Sequence, residues 1–122
     1  MLIRLLSYIL ALIFLASGGA KLMSLPFEIE AFARWGYPIE FMYFIGIVEC
    51  MGAIGLLIRR LSAFSSLCLA LLMLGAIGTH LYHNEWVMLV VASVITLATF
   101  CLAWLDKENI TQLLITLRTR KS

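Results

Sequence analysis

Charge is scarce in this chain. Of 122 residues, 9 are Lys or Arg and 7 are Asp or Glu. Charged residues are therefore 13% of the chain, against about 25% in ordinary soluble domains. Apolar residues reach 63%, where about 45–50% is usual. A dissolved domain this short leaves much of its surface wet, so a water-soluble enzyme is excluded, and so is a disordered chain. Cysteine is also sparse. Cys50, Cys68 and Cys101 lie inside apolar runs, are odd in number and form no C-x-x-C pair. That excludes a disulfide scaffold and leaves apolar packing as their reading. There is no P-loop, G-x-G-x-x-G fingerprint, haem-attachment motif or nucleophile elbow. A net charge of +2 is too weak for nucleic-acid binding. What remains is a single-domain integral membrane protein in contact with the lipid bilayer.

The few charges mark out four apolar stretches: Leu5–Ala20, Phe41–Ile58, Leu61–Leu81 and Trp86–Leu105. Each is near the 17–25 residues, roughly, that a helix needs to cross ~30 Å of hydrocarbon. Lipid leaves no partner for unpaired backbone groups, and continuous runs rather than alternation choose helices. The expected fold is an all-α, four-helix membrane bundle with helices over about residues 3–22, 41–58, 61–81 and 86–105. The first run has a basic start and small residues at Ala16, Ser17 and Gly18, as a signal peptide does. The following chain is built to stay in the membrane, so this run reads as a retained helix.

Lys and Arg in the short loops set the orientation. Arg4, Arg59, Arg60, Lys107, Arg118, Arg120 and Lys121 fall at one end, and Lys21 and Arg34 at the other. Both termini are therefore expected in the cytoplasm. Trp35, Tyr37, Tyr43, Tyr82 and Trp86 gather at the opposite ends of the runs, where amphipathic rings favour the interface. The 21–40 loop contains a short amphipathic helix, Phe27–Trp35. Phe27, Ile29, Phe32 and Trp35 are its apolar anchors, and Glu28, Glu30 and Arg34 are expected to face water. Residues 109–118 read as an interfacial amphipathic helix.

Glu49 is the exception in the charge map, alone near the middle of the second span. A carboxylate there must be paired, wet or protonated, which makes it a site candidate. Gly46 and Ala53 share its face and let another helix approach closely. Glu49 is therefore expected to point inward, towards a pocket opening to the outer side, with Lys21 or His80 as partner. Two other readings stay open: a neutral structural hydrogen bond for Glu49, and simple snorkelling for Lys21. His80, His83 and Glu85 are too few for a metal centre, and their stretch reads as a solvated interfacial turn. The Gly18–Gly19 pair and Gly52/Gly55 read as helix-packing positions.

Several ordered pieces now stand out. The first helix ends Ser17-Gly18-Gly19-Ala20-Lys21-Leu22, and the loop carries Phe32-x-x-Trp35-Gly36-Tyr37-Pro38. The second span reads Ile45-Gly46-Ile47-Val48-Glu49-Cys50-Met51-Gly52-Ala53, then Gly55-Leu56-Leu57. The third reads Leu72-Met73-Leu74-Gly75-Ala76 and ends Thr79-His80-Leu81. In order and spacing the chain resembles the DoxX-like family of small four-helix membrane proteins. The resemblance implies a multi-pass protein of the bacterial cytoplasmic membrane, with Lys21, Glu49 and His80 at recurring polar positions. It also implies association with quinone-linked redox systems, such as a thiosulfate:quinone oxidoreductase subunit, with catechol or quinone stress, or with superoxide dismutase complexes. Relatives in animals resemble assembly factors for membrane receptors.

Three functions follow as expectations. The first is a redox-associated accessory subunit that binds a quinone or other lipid-soluble molecule between its helices. Lys21, Glu49 and His80 would be its ligand-binding or proton-linked residues, and no flavin, haem or metal is signalled. The second is a non-catalytic assembly protein that binds a membrane partner or its own copies. The third is a small proton-coupled transporter.

Overall fold

The computed structural model describes residues 2–120. Among these there are six helices and no strand: α1 (Leu2–Leu22), α2 (Pro26–Trp35), α3 (Ile39–Leu57), α4 (Ser62–Tyr82), α5 (Trp86–Leu105) and α6 (Lys107–Arg120). Lys121, one of the tail's basic residues, lies outside the described residues.

Helices α1, α3, α4 and α5 have 19 to 21 residues and are apolar enough to cross a membrane. At 1.5 Å per residue that is about 30 Å, the thickness of the hydrocarbon. Their outward side chains are large and apolar, including Leu12, Phe44, Val94 and Leu97. Such a surface suits lipid, not water. The four pack in a cycle: α1 beside α3, α3 beside α4, α4 beside α5, and α5 back against α1. Leu10, Phe14, Ala53, Leu56, Leu69, Met73, Ala92 and Leu102 form the core between them. Buried hydroxyls on these helices bond to backbone carbonyls, as Ser7 does to Ile3, Thr96 to Ala92 and Thr99 to Thr96. Each of these three hydroxyls thus has its proton satisfied.

The connections are short and their residues suited to the task. Ser24 turns the chain in the left-handed region (φ 55°), and Pro26 opens α2 at a position where its missing N–H costs nothing. Gly36 ends α2 with φ 81°. Its N–H bonds to Ala33 O and that of Tyr37 to Phe32 O, a Schellman ending that glycine favours. Asn84 (φ 57°) makes the turn into α5. Helix α2 thus lies across one end of the molecule. At the other end Arg4 Nη2 donates to Leu57 O, Ser62 Oγ donates to Asp106, and α6 packs beside α4.

The small-residue seams differ from the expectation at one position. Gly18, Gly52 and Gly55 sit against neighbouring helices, whereas Gly19 faces open space. Adjacent helical residues point about 100° apart, so only one of the pair can lie in the seam.

Candidate functional site

Lys21 and Glu49 form the centre of the site. Lys21 Nζ lies 2.8 Å from Glu49 Oε1. Both residues are buried, at 8% and 4% exposure. The geometry follows from helix direction. Side chains lean towards their own helix's N-terminus, and α1 and α3 run antiparallel. Lys21 therefore leans back into the membrane-spanning part of α1, and Glu49 leans up towards α2. The aliphatic stem of Lys21 packs beside Gly46, in space that a larger residue there would fill.

Two further side chains complete the group. Ser17, one turn before Lys21, donates from Oγ to Glu49 Oε2 at 2.9 Å and accepts from Lys21 Nζ at 2.8 Å. Glu28 on α2 brings its Oε2 to 2.9 Å from the same ammonium. The ammonium thus sits between two carboxylates and a hydroxyl. Glu28 does not face water as expected. The Lys21 ammonium lies beneath α2, and an acid at that position is stabilised by turning inward to it.

A second polar group fastens the far end of α2. Glu85, just before α5, receives Arg34 Nε and Nη2 on Oε2 at 3.0 and 2.6 Å. Its Oε1 receives Trp35 Nε1 at 2.8 Å and His80 Nδ1 at 2.9 Å. Burial opposes the charge on Glu85. The hydrogen bonds from His80, Trp35 and Arg34, with the Arg34 charge, outweigh it and hold the carboxyl down at about 2. The solvated turn expected around His80 is therefore a correction: His80 is buried, bonded to Glu85 and edge-on to the Trp35 ring at 5.5 Å. Arg34 keeps a largely exposed side chain, at 56%, but is paired.

Between these two groups lies a cavity of about 400 Å³, roofed by α2. Lys21, Glu49, Ser17 and Glu28 form its polar wall, facing the rings of Phe32, Trp35, Tyr37 and Phe41. Leu72, Met73, Ala76, Val91 and Ile95 make the rest apolar. The rings support one another at 5.1–6.3 Å between centroids. The size and the mixture, mostly apolar with a few convergent polar groups, are those of small-molecule sites. Among the described residues no group of three or more His, Cys, Asp or Glu side chains is placed to hold a metal ion.

Of the three sequence candidates, Lys21 and Glu49 meet at the cavity wall. His80 does not line the cavity; it stands beside Trp35 and bonds to Glu85. The sequence reading missed Ser17, Glu28 and Glu85 as members of these groups. Ser17 carried one usable signal, lying one turn before Lys21. Cys50 is half-buried and Cys68 and Cys101 are exposed on the helix surfaces; all three are free thiols.

The profile of the DoxX-like family matches residues 5–104. The chain is 32% identical over 78 residues, 61% of its length and 68% of the relative's, to a Bacillus subtilis (strain 168) protein called "Uncharacterized protein YdgD". No solved structure matches it. The matched stretch runs from the first turn of α1 to the last turn of α5 and takes in both polar groups and the cavity. With four helices long and apolar enough to span a bilayer, the chain is a multi-pass membrane protein of the DoxX-like family.

Proposed function

We propose that this protein is a four-helix bundle of the bacterial cytoplasmic membrane that binds a quinone or another small lipid-soluble molecule beneath α2, as an accessory subunit of a redox system. The observation that carries the reading is the cavity of about 400 Å³ with the Lys21–Glu49 pair in its wall. A buried ion pair in a membrane protein costs desolvation and is weak evidence for stability alone. Set in the wall of an apolar cavity, it fits the orienting group of a ligand site. Both termini face the cytoplasm in this reading. Arg4, Arg59, Arg60 and Lys107 all belong to the α6 end, and that basic excess supports the orientation.

The test is native mass spectrometry of protein purified from membranes, beside Ala76→Phe, which narrows the cavity without touching a charge. A small lipophilic mass bound to the parent and absent from the folded variant supports the reading. Protein that carries no small molecule, but co-purifies with a defined membrane partner, would point to an assembly role instead. Ion-dependent uptake into proteoliposomes would point to transport.

A further inference from the structure

The hydrogen-bond donors of the cavity wall are all engaged within the protein. Five lining side chains carry donors: Ser17, Lys21, Trp35, Tyr37 and Thr79. Ser17 gives its proton to Glu49 Oε2. The Lys21 ammonium has three protons and three acceptors within 2.9 Å: Ser17 Oγ, Glu28 Oε2 and Glu49 Oε1. Trp35 donates to Glu85. Thr79 donates to Gly75 O and shares a 2.9 Å bond with Tyr37. With the threonine proton committed to Gly75, the Tyr37 proton goes to Thr79.

Acceptor capacity is left over. A carboxylate offers about four lone-pair sites, and Glu28 and Glu49 together use only part of theirs. Glu28 Oε2 and Glu49 Oε1 are buried against the ammonium, so the spare lone pairs are those of the second oxygens, Glu28 Oε1 and Glu49 Oε2, the latter taking one bond from Ser17. The charge points the same way. Among the lining residues, one ammonium faces two carboxyls, which disfavours an anionic ligand.

We propose that the cavity recognises its ligand as a hydrogen-bond donor: a flat apolar molecule bearing phenolic hydroxyls, so that the reduced, quinol form of a quinone couple binds and the oxidised form binds poorly. This rests on the proposed binding of a quinone-like molecule and adds its redox state. A quinone carbonyl is an acceptor only. It would have to take a proton away from one of the five engaged donors, and at Ser17, Lys21 or Trp35 that leaves a part-buried partner unsatisfied. A quinol hydroxyl donates to the free lone pairs of Glu49 or Glu28 and displaces nothing. The aromatic wall of Phe32, Trp35, Tyr37 and Phe41 suits a flat ring in both oxidation states, so the discrimination comes from the polar wall. A preference for the reduced form raises the midpoint potential of the bound couple by about 30 mV for each tenfold in affinity, since two electrons are involved.

The experiment is equilibrium binding to detergent-solubilised full-length protein. The probes are decyl-ubiquinol, decyl-ubiquinone and the dimethyl ether of the quinol, which has the same body and no donor. The expected result is that the quinol binds at least tenfold more tightly than either of the others. Glu49→Gln and Glu28→Gln replace acceptor oxygen by a group that also donates. At least one of them, checked for native helix content, should cut the preference below threefold. Quinone bound as tightly as quinol, or an ether as good as the quinol, overturns the donor rule and leaves the ligand site standing. Binding of none of the three would remove both this inference and the quinone-type reading on which it rests.

Discussion

Gly18 and Gly46 touch reciprocally where α1 crosses α3. A Cβ on Gly18 would lie 2.8 Å from the carbonyl oxygen of Gly46, and one on Gly46 would lie 3.1 Å from the carbonyl oxygen of Gly18. The two backbones are therefore in close contact, flanked by Cys50 Sγ, which a Cβ on Gly18 would meet at 2.7 Å, and by the Lys21 Cβ, which one on Gly46 would meet at 3.0 Å. This approach lets a lysine at the end of α1 reach a glutamate in the middle of α3, because Lys21 and Glu49 each lie three residues beyond one of these glycines.

Gly18→Ala should therefore destabilise the protein by about 1–3 kcal/mol, the range for overpacking a tight site. Gly19→Ala should be neutral or stabilising by up to about 1 kcal/mol, because nothing lies within 4 Å of its position and alanine favours helix. Unfolding in mixed micelles by SDS titration compares the two. Equal effects would mean that the crossing is not as close as described.

Lys21→Met leaves two carboxyls without their cation and should cost about 3–5 kcal/mol, the range for a stranded buried charge in soluble proteins. Glu49→Leu alone should cost less, since Glu28 still holds Lys21 at 2.9 Å. The double variant should be more stable than the sum of the single losses predicts. A double-mutant cycle reads the coupling directly, and additive losses would show that the pair is not coupled.

Glu85 supplies a pH dependence whose sign is fixed. Its carboxyl is held at about 2 in the folded protein against an ordinary 4.5. A depressed acid contributes stability that is fully present above about pH 4.5 and is lost as the pH falls towards about 2. Trp35 fluorescence should report α2 docked at pH 5 and loosening only below about 4. Glu85→Gln should remove that dependence and loosen α2 at every pH. A transition near pH 6 that Glu85→Gln leaves unchanged would place the control elsewhere.

With Cys50, Cys68 and Cys101 replaced by alanine, a single cysteine at Glu30 should be labelled by an impermeant reagent from outside intact cells. One at Arg60 should be labelled only after the membrane is opened. Glu30 and Arg60 are both exposed and lie at opposite ends of the spans, so the reverse pattern would invert the topology.

The spans were legible because an apolar run of about twenty residues has few other fates. Glu49 was legible for the complementary reason: one carboxylate inside such a run has to be accounted for. Glu28 and Glu85 were not. Both lie in polar stretches where a charge facing water is the ordinary state, and what turns them inward is the docking of α2 over Lys21 and the α4–α5 turn. That is a tertiary fact with no local periodicity behind it. The Gly18–Gly19 pair shows the same limit on a smaller scale. The sequence offers two small residues, and only the crossing of α1 with α3 decides which one lies in the seam. His80 was legible as a polar residue at a helix end, but its bond to Glu85 was not.

The two fastenings of α2 differ in wetness. Lys21 and Glu28 are 11% and 13% exposed in their side chains, whereas Arg34 is 56% exposed against 15% for Glu85. Mobile ions reach the second pair and hardly the first, since screening over about 8 Å at physiological ionic strength acts mainly on exposed charges. Added salt therefore slackens the Arg34 end while the Lys21 end stays shut. Under the proposed ligand-binding reading, the Arg34 end of α2, beside the α4–α5 turn, is then the edge that yields first, and the Lys21–Glu49 pair sits at the edge that yields last.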